Sequence, residues 1–126
     1  MKILLADDDH DQLAIREMLL AQYGFDSIVA GDRESALQAA STQHPNCAVV
    51  DLKLPDMKSG LQLIRELKAI DADLYILVLT GANHASWANL PERRLVHAII
   101  QKGAASTELI RQLKMLQGTS QRDLQC

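Results

Sequence analysis

Aromatic side chains are almost missing from this chain: one Phe, one Trp and two Tyr in 126 residues. A core must therefore be assembled from Leu, Ile, Val, Ala and Met, which suits helices packed on a parallel sheet. Cysteine is scarce too. Cys47 sits in an apolar run and Cys126 is the final residue, which excludes a disulfide framework and reads as a buried thiol and a tail residue of a reduced, cytoplasmic protein. There is no basic excess, since 13 Lys and Arg stand against 16 Asp and Glu, for a net charge of −3. That balance offers no footprint for nucleic acid, and the only adjacent basic pair, Arg93-Arg94, reads as solvated surface. Long hydrophobic runs are absent as well: the stretch opening MKILLADDD is far too short for a membrane span or a signal peptide. His10, His44, His84 and His97 are scattered without ligand spacing, which argues against zinc.

What is present is a regular alternation. Residues 2–6, 27–30, 47–50, 74–79 and 98–100 are short apolar runs bounded by polar or turn residues, and they read as buried strands. Between them lie stretches of helical spacing, with faces marked by Ala14, Met18 and Ala21; by Ala36, Leu37 and Ala40; by Ile64, Leu67 and Ile70; and by Leu109, Leu113 and Leu116. A short fourth helix is expected over 83–90, limited by Pro91. Five strand–helix units predict one α/β domain over 1–117, a doubly wound parallel sheet covered on both faces. Residues 118–126 read as a polar tail or the start of a linker.

In an open parallel sheet, ligands bind at the carboxyl ends of the strands. The first strand ends in Asp7-Asp8-Asp9, the third in Asp51, the fourth in Thr80-Gly81 and the fifth in Gln101-Lys102. Crowded carboxylates repel unless protons or a cation intervene. Oxygen donors without His or Cys select a hard ion, and few protein ligands with many waters favour Mg²⁺. A carboxylate beside that ion, facing a hydroxyl and an ammonium, fits phosphoryl transfer onto an Asp. Each residue alone has a plainer reading: Asp9 as a helix N-cap, Thr80 as a strand-end residue, Lys102 as a solvated cation. Agreement among four strand ends favours the shared chemistry.

Those residues, KILLADDD at the start, VVDLKLPD around Asp51, LVLTG around Thr80 and IIQK at Lys102, resemble the receiver domains of bacterial two-component response regulators. Separations of 43 residues from Asp8 to Asp51, 29 on to Thr80 and 22 on to Lys102 carry the likeness. It implies a flavodoxin-like sheet of order 2-1-3-4-5, with the first and last helices on one face. Asp51 would accept a phosphoryl group from a histidine kinase or histidine phosphotransfer protein. Asp7, Asp8, Asp51 and the backbone carbonyl of Lys53 would hold Mg²⁺, and Thr80 and Lys102 would meet the phosphoryl oxygens. The output would be a conformational signal to a downstream protein or fused output domain, not dedicated enzymatic turnover. A homodimer through the face made by the short fourth helix, the fifth strand and the last helix is left open.

Three departures from the family pattern stand out. Gly60 falls nine positions after Asp51, where the pattern has glycine at eight. Lys102 is followed by Gly103 instead of proline, so a trans bond is expected there. Ile99 stands where many receivers carry Tyr or Phe, and PERRLVHA lacks the usual Gly-Ala turn. Trp87 reads equally as a partner anchor or as core. The last two substitutions leave room for an alternative, a receiver-like interaction module that signals without phosphorylation. A calcium loop over Asp7, Asp9 and Asp11 fails at Gln12 and Met18, where Gly and Glu are needed. A phosphatase with Asp7-x-Asp9 as its nucleophile motif is set aside, because the chain is short for one.

Overall fold

A computed structural model describes residues 1–52, 57–81, 90–101 and 105–125, with side chains except at Ala105 and from Gly118 onward. Five parallel strands, β1 (Lys2–Ala6), β2 (Asp26–Ala30), β3 (Cys47–Asp51), β4 (Tyr75–Thr80) and β5 (Ala98–Gln101), lie in the order β2-β1-β3-β4-β5. The helices are α1 (His10–Gln22), α2 (Arg33–Gln43), α3 (Met57–Ile70) and α4 (Ala105–Gln125), with a 3-10 turn over Pro91–Leu95. The doubly wound parallel sheet and its order agree with the sequence expectation. The helix expected over 83–90 lies outside the described residues except for Leu90, which is the extended cap preceding the 3-10 turn.

Strand alternation sorts the core into two layers. Leu4, Ala48, Val50, Ile76 and Val78 join Ala36 and Ala40 of α2 and Leu63, Ile64 and Leu67 of α3. Ile3, Leu5, Cys47, Val49, Leu77 and Leu79 join Leu13 and Leu20 of α1 and Leu109, Ile110 and Leu113 of α4. The first and last helices therefore share one face. Ile99 packs against the α2–α3 layer as ordinary apolar filling.

Three helices depart from the sequence reading. On α1 the expected face of Ala14, Met18 and Ala21 is exposed, and the buried residues are Leu13 and Leu20. Asp9 caps the helix by accepting from the N–H groups of Asp11 and Gln12, and this start fixes the phase of the turns that follow. At the other end, α4 stays helical through Gln125, so the stretch read as a polar tail continues the last helix. Ile70, expected on the buried face of α3, is 41% exposed at the helix end.

Candidate functional site

The parallel ladders bring four strand ends to one edge. Ala6 pairs with Val50, Asp51 with Leu79, and Thr80 with Gln101. Asp7 directly follows β1 and is tied to β2 by its N–H on the Ala30 carbonyl at 3.1 Å. Asp51 is the last residue of β3 and not the residue after it, and the Leu52 N–H still bonds the Leu79 carbonyl at 3.0 Å. Thr80 likewise closes β4. Gly60, near the start of α3, lies so close to Leu52 that an added Cβ would fall 1.9 Å from the Leu52 carbonyl oxygen.

Burial singles out the same residues. Among the described residues the buried polar or charged ones are Asp7, Asp51, Thr80 and Glu92, at 1%, 4%, 3% and 7% exposure. Glu92 belongs elsewhere, paired with Arg65 of α3 at 3.4 Å. The other three all sit at the carboxyl edge, where buried oxygen atoms in an apolar frame need partners or a ligand. Asp8, beside them, is exposed. Lys53, Lys102 and Gly103 lie outside the described residues, as does Trp87.

Asp7 has firm partners. Its Oδ1 accepts the Asp9 N–H at 3.0 Å, and its Oδ2 takes Nη1 of Arg16 at 2.5 Å. Burial works against ionisation of Asp7; the Asp9 N–H, the Arg16 guanidinium and a hydrogen bond with Asp51 outweigh it and hold the carboxyl below the usual aspartate range. Arg16 is itself nearly buried, its side chain 11% exposed. Sequence reading missed Arg16, although its position three after Leu13 and four before Leu20 places it on their face.

The donor set is all oxygen, and the carboxyl groups of Asp7 and Asp51 lie close enough to influence each other. A hard divalent cation between them would relieve their mutual repulsion, and Mg²⁺ needs only one or two protein carboxylates alongside water. Among the described residues no three carboxylate, histidine or cysteine side chains converge into a ready cage. Oxygen donors of this kind, few in number, are the type a water-rich Mg²⁺ site uses.

Residues 3–114 match the family model described as the response regulator receiver domain. The chain belongs to that family. Receiver domains are signalling modules, not dedicated enzymes. This receiver domain is 37% identical over 79 residues to the probable transcriptional regulatory protein TcrX of Mycobacterium tuberculosis, covering 63% of this chain and 33% of TcrX. It is 34% identical over 80 residues to the alkaline phosphatase synthesis transcriptional regulatory protein PhoP of Bacillus subtilis, covering 64% and 33%. The matched stretch thus spans a third of each relative's length. In fold, it is similar to a CheY-like receiver domain protein of Methanospirillum hungatei, with a TM-score of 0.81, 23% identity and 97% of each chain covered. It is also similar to the response regulator TrrA of Thermotoga maritima, solved in complex with Mg²⁺-BeF, with a TM-score of 0.80, 23% identity and 91% and 97% coverage. No helix among the described residues is long and apolar enough to cross a membrane.

Proposed function

We propose that this receiver domain carries its signal as an aspartyl phosphate on Asp51. The observation behind this reading is the burial of Asp7, Asp51 and Thr80 together at one sheet edge, in a core that among the described residues is otherwise apolar but for Glu92. A carboxylate oxygen of Asp51 attacks the phosphorus of a phosphohistidine on a histidine kinase or histidine phosphotransfer protein. The P–N bond breaks, and its electron pair stays on the imidazole nitrogen. Asp7, Asp8, Asp51 and the Lys53 carbonyl would hold Mg²⁺, which when bound would neutralise charge on the transferring group. Thr80 donates a hydrogen bond from its hydroxyl to one phosphoryl oxygen, and Lys102 pairs with another. Ladder bonds on both sides of β3 keep Asp51 stationary for an in-line approach. The signal passes by conformational change to a downstream protein or a fused output domain, as the greater length of the transcriptional regulators TcrX and PhoP suggests, within the cytoplasm.

Intact mass after incubation with acetyl phosphate and Mg²⁺ tests the reading. One added phosphate is expected on the wild type and none on Asp51→Asn; labelling that persists in the variant would overturn it. The alternative, signalling without phosphorylation, is favoured by one observation, the Arg16 guanidinium on a carboxylate assigned to the metal. No labelling of the wild type, with folding intact, would select it.

A further inference from the structure

The edge that takes the metal already contains a cation of the protein's own. Arg16 lies between Leu13 and Leu20 on the inner face of α1 and bonds Asp7 Oδ2 at 2.5 Å, with side-chain exposures of 11% and 2% for the pair. The second oxygen of Asp7 is bonded to the Asp9 N–H. A guanidinium keeps its charge at any ordinary pH, so it cannot yield to an incoming metal by losing a proton. It must swing aside or share the carboxylate. At such burial water and salt screen the repulsion between Arg16 and a divalent ion poorly. Among the described residues the charge balance points the same way: Asp7, Asp8 and Asp51 with Arg16 leave two negative charges, where three would stand without it.

We propose that Arg16 is an internal counter-ion of the metal site: it steadies Asp7 while no metal is bound and lowers the affinity of the site for Mg²⁺. The proposal rests on Asp7, Asp8 and Asp51 being the metal carboxylates. Arg16 touches Asp7 and no reacting atom, so it is a positioning residue. By this device phosphorylation begins only at higher Mg²⁺ than the carboxylates alone would require.

Calorimetric titration of the full chain with MgCl₂, in the wild type, Arg16→Gln, Arg16→Lys and Asp8→Asn, tests it without any phosphoryl donor. Arg16→Gln is expected to bind Mg²⁺ about tenfold more tightly than the wild type, and Arg16→Lys, which keeps the charge, within about threefold of it. Unchanged affinity in Arg16→Gln, with binding lost in Asp8→Asn, overturns the proposal and leaves the metal site standing. Absence of Mg²⁺ binding in every protein, or binding that survives Asp8→Asn, removes the metal site and the proposal together. A merely structural arginine would lower the melting temperature and leave the affinity alone. Should Arg16→Gln not fold, nitrogen-15 NMR of the wild type decides. Arg16 guanidinium signals that shift in step with Mg²⁺ saturation support the proposal, and signals fixed through saturation sink it.

Discussion

Asp7, Asp8 and Asp9 are neighbours of one chemical type in three different surroundings. Asp7 is buried and bonded to Arg16, Asp8 faces solvent, and Asp9 spends its carboxylate on the first turn of α1. Replacing Asp9 by Ala should therefore cost about 1 kcal/mol of stability, read by urea unfolding, and leave Mg²⁺ affinity in place. At this scale the sequence was informative wherever a residue ended a strand: Asp7, Asp51 and Thr80 were legible from position alone. Arg16 was not, because a charged residue on a helix is assigned outward by default, and only the spacing of Leu13 and Leu20 argues otherwise.

Among elements, the strands were legible to within a residue at each end, the central ones because strands buried on both faces read as unbroken apolar runs; β2, expected as a buried strand, is instead a half-exposed edge with Val29 45% exposed. Helix phase was harder. Alanine carries little preference between core and surface, so Ala14 and Ala21 misled on α1, whereas the larger Leu109 and Leu113 marked α4 correctly. Glycine spacing after Asp51 shifted by one position, yet Gly60 lands against the Leu52 backbone. A methyl group there meets main chain, not a flexible side chain, so α3 must back away. Gly60→Ala is expected to destabilise the domain by about 1–3 kcal/mol, a cost of the overpacking kind. Amide chemical shifts of Leu52 and Asp51 should move along with it; if stability and those shifts stay unchanged, the close approach is not real.

For the molecule as a whole, the edge opposite the site holds the pH response. His97, just before β5, accepts the Ile76 N–H on Nδ1 at 3.2 Å and stacks on Tyr75 with ring centroids 4.0 Å apart. Burial, and then the charge of nearby Lys68, keep the imidazole below its ordinary value. The unfolded chain therefore takes up this proton first as pH falls. The contribution of His97 is complete above ~6.5 and declines as pH drops through that value toward the folded one. Urea midpoints measured from about pH 7.5 down to 5.5 should fall in the wild type and fall less in His97→Gln; equal slopes would refute the assignment. Two faces of one sheet, each with its own apolar layer, bury the central strands on both sides, and this was legible from alternation alone. The grip on Leu52, its N–H held by Leu79 and its carbonyl close to Gly60, holds the chain one residue past Asp51. Its amide should exchange with deuterium only when the entire domain opens. Under the proposed phosphorylation, a charge added at Asp51 would land on an anvil, and the recoil would have to be absorbed beyond the sheet.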